Sequence, residues 1–278
     1  RRGSIIFSSR MPSPPLSTGF QSTYQLFECL GAGAAGTVFR ARHAALNRQV
    51  ALKLLKVQAG TNAAKRFDEE ARTLAMLSHP RIPKIYDYGW DSETPYIAME
   101  FIGGGSLRGQ MVDKGVYSPA AAVGIALSLL EGLGYVHKQG LLHRDIKPEN
   151  VLVDADGALF LADFGLAFST FEERTQLTEL GHMVGTVRYM SPELFGLGTY
   201  TEKSDLYAVG VILFEMLIGR RPFVAKPVSA LVEEVIHRPP PAPTSIDPAI
   251  PLDVERVCLR CLDKRADHRY ASARVLAE

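Results

Sequence analysis

The first third of the chain alternates apolar and polar positions, then helical spacing takes over. The alternation predicts strands over Tyr24–Leu30, Val38–His43 and Gln49–Lys56, with a glycine loop between the first two. Ala64, Phe67, Ala71, Leu74 and Leu77 then recur at helical spacing among Lys, Asp and Glu. His79-Pro80 ends that helix, because proline cannot continue the hydrogen-bond ladder. Ile82–Tyr88 and Pro95–Ile102 read as two more strands. The expected result is a small, mostly antiparallel sheet carrying one helix.

Gly103-Gly104-Gly105-Ser106 breaks the pattern, and the chain beyond it is mainly helical. Ser118-Pro119 supplies an N-cap and a proline at the first helical position, for a helix running to about Lys138 with Gly140 near its C-terminal cap. Further helices are expected near 191–196, 204–218, 228–236, 251–262 and 271–278, with the proline-rich loop of Pro239, Pro240, Pro241 and Pro243 between two of them. Residues 1–20 are rich in Ser, Pro and Arg and are read as a flexible tail. The fold class is therefore α+β, with a sheet-based region over 21–102 and a larger, mainly helical region over 103–278. The last residues end inside a predicted helix, so a fragment of a longer protein is expected.

Composition narrows the picture. The 278 residues are 46% hydrophobic and 22% charged, which suits a globular chain with a sizeable core. Lys plus Arg is 31 and Asp plus Glu is 30, so nothing suggests a nucleic-acid or polybasic membrane binder. The apolar runs Ala120–Leu130 and Tyr207–Leu217 are short for a membrane span, and none is expected in this segment. Three cysteines are too few for a disulfide framework. Cys258 and Cys261 form a CxxC without a second pair, inside an apolar-periodic stretch, and read as buried helix thiols rather than metal ligands. A reducing, cytoplasmic setting fits, with the rest of the protein free to be anchored elsewhere.

Four motifs carry chemistry. Gly31-Ala32-Gly33-Ala34-Ala35-Gly36-Thr37-Val38 is a GxGxxGxV loop. Its glycines let backbone amides approach a polyphosphate closely. A dinucleotide-binding loop would lead from strand into helix; here it leads into strand-like Thr37–Arg42, which makes it a hairpin. Lys53 lies on the next strand between apolar neighbours, and Glu70 in the adjoining helix is a natural counter-ion. In His143-Arg144-Asp145-Ile146-Lys147-Pro148-Glu149-Asn150, Asp145 can accept a hydroxyl proton, Lys147 can meet a phosphoryl group, and Asn150 offers an amide oxygen to a hard cation. Asp163-Phe164-Gly165 then puts a carboxylate just past a short hairpin, a placement that suits Mg²⁺.

In this order the motifs resemble the eukaryotic-type (Hanks-type) protein kinase family over roughly residues 24–278. The resemblance implies a bilobal protein-kinase-like fold and transfer of the ATP γ-phosphate, with Mg²⁺ or alternatively Mn²⁺. It assigns Gly31, Ala32, Gly33 and Gly36 to the ATP phosphates. Lys53 would bind the α- and β-phosphates and pair with Glu70. Val38, Ala51 and Leu152 would sandwich adenine, beside a gatekeeper Met99 and hinge residues Glu100 and Ile102. Asp145 would be the catalytic base, Lys147 would neutralise γ-phosphate charge, and Asn150 and Asp163 would hold the metal. Leu74, His143 and Phe164 would form a hydrophobic spine anchored by Asp205, and Glu193 would pair with Arg269.

Lys147 and Gly185-Thr186 resemble the Ser/Thr branch, in a style similar to bacterial Ser/Thr kinases, which implies protein substrates with Ser or Thr acceptors. Arg144, before the catalytic Asp145, implies pairing with a phosphorylated activation-loop residue. Thr178 is the first candidate and Thr175 the second, while Thr186 would bond Asp145 and Lys147. The same resemblance implies self-phosphorylation, in trans within a homodimer. Ala34-Ala35 at the loop tip, Ser191 in place of Ala and Tyr270 in place of Pro depart from the family pattern without touching a catalytic position. A scaffold that kept the fold and a small-molecule phosphotransferase are the competing readings. The intact catalytic set argues against the first, and the long activation loop against the second.

Overall fold

The computed structural model describes residues 16–33, 36–57, 60–164, 187–196 and 198–278. Contacts divide the chain into two units, Arg1–Arg72 with Ile85–Phe101, and Thr73–Lys84 with Ile102–Glu278.

The first unit is built on five antiparallel strands: β1 (Tyr24–Ala32), β2 (Gly36–His43), β3 (Arg48–Leu55), β4 (Ile85–Asp91) and β5 (Thr94–Glu100). Their order is β1-β2-β3-β5-β4. Period-two alternation sorts β3 onto two faces. Val50, Leu52 and Leu54 join Phe20, Tyr24, Ala41 and Ala98 in a core cluster. Ala51 and Lys53 fall on the other face, opposite Arg40 and Val38 of β2 and opposite Met99 and Ile97 of β5.

A short helix, α1 (Thr18–Thr23), corrects the flexible-tail expectation for its last residues. Ser17 caps it, and the Ser17 amide donates to Asp91 Oδ2 at 2.8 Å. Phe20 packs on Tyr96 and Tyr24, with ring centroids 4.8 and 5.1 Å away. Composition missed this segment because one buried aromatic outweighs a Ser-rich surrounding once a sheet is there to receive it. Helix α2 (Asn62–Ala75) buries Ala64, Phe67 and Ala71 as its spacing predicted. Phe67 meets Trp90 edge-on at 5.6 Å, and Trp90 Nε1 donates to Asp68 Oδ1 at 2.8 Å.

The second unit contains α3 (Leu107–Lys114), α4 (Pro119–Lys138), the hairpin β6 (Val151–Val153) and β7 (Leu159–Leu161), α5 (Glu202–Ile218), α6 (Val228–His237), α7 (Pro243–Ile246), α8 (Leu252–Cys261) and α9 (Ala273–Ala277). Helix α4 has the predicted bounds, with the Ser118 hydroxyl accepting from the Ala121 amide and Gly140 at φ 73°. It is long and apolar enough by length and composition to cross a membrane, unlike the shorter run read from sequence. Here it packs against α5, β7 and α9, and Leu133 and Val136 are fully buried. Helix α7 lies in the expected proline-rich loop, where Pro243 takes the tolerated first helical position. The helix expected near 191–196 is a 3₁₀ turn, Pro192–Phe195. Cys258 and Cys261 are buried on α8, where desolvation holds both thiols above their usual pKa.

The division of the chain differs from the expected 21–102 and 103–278. Residues 73–84 belong with the second unit because their bonds run there. Arg81 O accepts from the Leu161 amide at 2.7 Å, Arg81 Nε donates to Glu131 at 2.8 Å, and His79 stacks on Tyr135 at 4.8 Å. The same bonds delay β4 to Ile85, three residues after the predicted start at Ile82.

Candidate active site

In the first unit the glycine loop is the turn of the β1–β2 hairpin, with Gly31 opposite Val38 and Ala32 opposite Thr37. The Gly33 amide donates to Gly36 O at 2.9 Å, and Lys56 Nζ donates to Gly33 O at 3.1 Å. Gly36 has φ 154°, and a Cβ there would lie 2.2 Å from Leu54 O. Only glycine lets β2 approach β3 so closely. The loop tip, Ala34 and Ala35, lies outside the described residues. Lys53 is buried on β3, and Val38, Ala51 and Met99 share its face of the sheet. Glu70 lies three positions past the buried Phe67 on α2. Glu100 ends β5, opposite Val50 and so on the other face.

The second unit opens at Ile102, which is buried. Gly104 then passes so close to the hairpin that a Cβ would lie 2.4 Å from Asp154 O. Ser106 bridges to Leu152, which fixes β6 beside the start of α3.

The residues of the His143–Asn150 motif converge. Asp145 Oδ2 accepts from Lys147 Nζ at 2.6 Å and from Asn150 Nδ2 at 2.8 Å. Asn150 Nδ2 also donates to Asp145 O at 2.8 Å. The 3₁₀ turn Pro148–Asn150 brings the buried Asn150 back over Asp145. Both bonds use the amide nitrogen of Asn150, so neither engages its side-chain oxygen.

Asp163 is held by what surrounds it. The Ala162 amide donates to Asn150 O at 2.9 Å, and Ala162 O lies 3.0 Å from His143 Nε2. His143 Nδ1 accepts from the Asp145 amide at 3.3 Å, so Nε2 carries the proton in the neutral ring. Complete burial lowers the His143 pKa, in keeping with that neutral form, while Asp205 and Asp145 pull the other way. The Phe164 ring sits 4.6 Å from the His143 ring. Asp163 and Arg144 both have left-handed backbones, at φ 57° and 67°. Such residues persist only where the surroundings over-determine them.

For Arg144 the surrounding is Asp205, which is fully buried on α5. Its carboxylate accepts from the His143 amide at 3.0 Å, the Arg144 amide at 3.1 Å, His137 Nε2 at 2.9 Å and the Tyr200 hydroxyl. Burial pushes the Asp205 pKa up, but the His137 bond and the facing His143 and Tyr200 groups leave it below the usual carboxylate value. Sequence analysis foresaw Asp205 but not His137 or Tyr200, which have no local signal. The expected Glu193–Arg269 pair is bidentate, at 2.8 and 2.9 Å. The resemblance-based Thr175, Thr178, Thr186 and Gly165 lie outside the described residues.

Residues 24–278 match the family model described as Protein kinase domain, and the chain belongs to that family. Serine/threonine-protein kinase PrkC of Bacillus subtilis is 34% identical over 252 residues, covering 90% of this chain and 39% of PrkC. PknH of Mycobacterium tuberculosis is 35% identical, covering 91% of this chain and 41% of PknH. PknB of Mycobacterium leprae is 34% identical, covering 95% of this chain and 43% of PknB. The chain thus spans about two fifths of these relatives' length. The solved structure of Rad53 1–466 in complex with AMP-PNP aligns with a TM-score of 0.77 and 25% identity, over 92% of this chain and 64% of that one.

Proposed function

We propose that this chain is a serine/threonine protein kinase domain that transfers the γ-phosphoryl group of ATP to Ser or Thr hydroxyls of proteins. The observation that carries the reading is the Asp145–Lys147–Asn150 cluster, clamped through Ala162 to Asp163. The relatives' names and the AMP-PNP held by Rad53 support the same reaction.

Asp145 takes the hydrogen bond of the incoming hydroxyl and receives its proton as the new O–P bond forms and the bond from the γ-phosphorus to the β–γ bridging oxygen breaks, releasing ADP. Lys147 stays beside Asp145, where its ammonium group offsets negative charge on the transferring phosphoryl. Gly31, Ala32, Gly33 and Gly36 cover the phosphates, and Lys53, positioned by Glu70, binds the α- and β-phosphates. Val38, Ala51 and Leu152 would sandwich adenine, with Met99 as gatekeeper and the hinge backbone groups of Glu100 and Ile102 presented to the base. Asn150 and Asp163 would form a hard-oxygen donor pair, and the Asn150 oxygen, not engaged by the two bonds of its amide nitrogen, suits Mg²⁺. When bound, the cation supplies charge neutralisation at the β- and γ-oxygens. Arg144 is proposed to receive a phosphate on Thr178 or Thr175, added in trans by a second copy, with Thr186 steadying Asp145. A cytoplasmic location for the domain remains part of this proposal.

The test incubates the chain with Mg·ATP and a Ser/Thr peptide and reads intact mass, beside Asp163→Asn. Phosphate gain in the unmodified chain or peptide only is the expected result. Asp145→Asn should lower transfer by about 10²–10⁴-fold and keep nucleotide affinity. Tight nucleotide binding with no transfer from any peptide would replace the enzyme reading with a scaffold.

A further inference from the structure

The 3₁₀ turn that carries Asn150 also carries Glu149, which keeps 46% of its side chain exposed. Arg108, at the start of α3, meets it: Arg108 Nε lies 2.7 Å from Glu149 Oε1. The rest of the same guanidinium reaches Glu215 of α5, with Nη1 at 3.1 Å from Oε1 and Nη2 at 3.2 Å from Oε2. Tyr189 closes the group, accepting from Arg108 and donating to Glu215 Oε2 at 2.6 Å. Arg221 lies 3.7 Å from Glu215 Oε1. Two carboxylates therefore face two guanidinium groups, and the cluster is neutral. Without Arg108 it would carry one net negative charge, centred on exposed Glu149.

Position gives this balance a consequence. Glu149 is four residues from Asp145, and consecutive Cα atoms are about 3.8 Å apart, so the two lie within the span of a few residues of an extended peptide. A carboxylate so placed attracts cationic side chains of a chain threading past, and a guanidinium suits it best because it binds carboxylates through a planar fork. Here that fork is already filled from within the protein.

We propose that Arg108 determines substrate specificity by occupying the Glu149–Glu215 pair, so that basic residues flanking the acceptor hydroxyl are not selected. The inference rests on the kinase reading above. Arg108 touches neither the reacting atoms nor Asp145, so it governs which peptide binds and not how fast a bound one reacts.

A peptide set with one Ser/Thr acceptor and Arg moved through each flanking position, against an Ala background, tests this on the unmodified chain. The expected kcat/KM for every Arg peptide is within about threefold of the background peptide. A preference for Arg of about tenfold or more at any position overturns the inference without any variant. Arg108→Met should then raise kcat/KM for Arg at one or two positions by about tenfold, through KM, while the background peptide keeps its kcat. Arg108→Met/Glu149→Gln restores neutrality and should abolish that gain. A flat ratio in a folded Arg108→Met that still phosphorylates the background peptide also overturns it. No phosphorylation of the background peptide by the unmodified chain would instead sink the kinase reading.

Discussion

At Lys264 a positive charge is half-buried. Its Nζ donates to Val235 O at 2.6 Å and lies 4.0 Å above the Phe223 ring. Burial, reinforced by the nearby Arg269 charge, pushes its pKa down to about 8 from 10.5. Between those values the unfolded chain holds more protons than the folded one, so stability rises with pH in that window. The denaturation midpoint of the unmodified chain, measured against Lys264→Met, should shift in favour of the unmodified chain from about pH 8 to about pH 10.5. A difference that stays constant over the window would show that Lys264 is not depressed in the folded state. Residues of this kind were not legible in the sequence, because the carbonyls and the ring lie about thirty to forty positions away. Asp145, Lys147 and Asn150 were legible, because a local turn alone brings them together.

Between elements, the Glu193–Arg269 pair ties the 3₁₀ turn Pro192–Phe195 to the segment before α9, across 76 positions. The Arg269 side chain is fully buried and Glu193 nearly so, at 0% and 16% exposure. Removing Arg269 leaves a desolvated carboxylate without its counter-charge, held by the Ser204 hydroxyl at 2.8 Å, so Arg269→Ala should cost about 3–5 kcal/mol by urea unfolding. Burial raises the Glu193 pKa, but the Arg269 hydrogen bond and charge outweigh it and the net shift is downward from 4.5. The pair's contribution is therefore present above about pH 4.5 and lost as pH falls through the lower folded value. Arg269→Ala should lose that acid slope. The pair was foreseen by family resemblance. The strands and α4 were legible from alternation and capping, whereas α1 was not, because its one anchor, Phe20, needs a sheet to dock on.

Across the whole molecule, the larger core is centred on α4 and α5, and Leu133 is completely buried within it. Leu133→Ala should cost about 2–5 kcal/mol, seen as a lower urea midpoint at unchanged slope. An unaffected midpoint would mean that α4 does not serve as the core helix of the second unit. The amino-acid sequence by itself determined the element types, the glycine hairpin and the clustering of Asp145, Lys147 and Asn150, since each depends on periodicity or on neighbours a few positions apart. Tertiary structure alone decided that residues 73–84 join the second unit, that His137 and Tyr200 complete the Asp205 anchor, and that Arg108 reaches Glu215. Backbone geometry brings neighbours a few positions apart together wherever the local turn forms. Groups 107 positions apart, like Arg108 and Glu215, meet only when packed helices bring them into register.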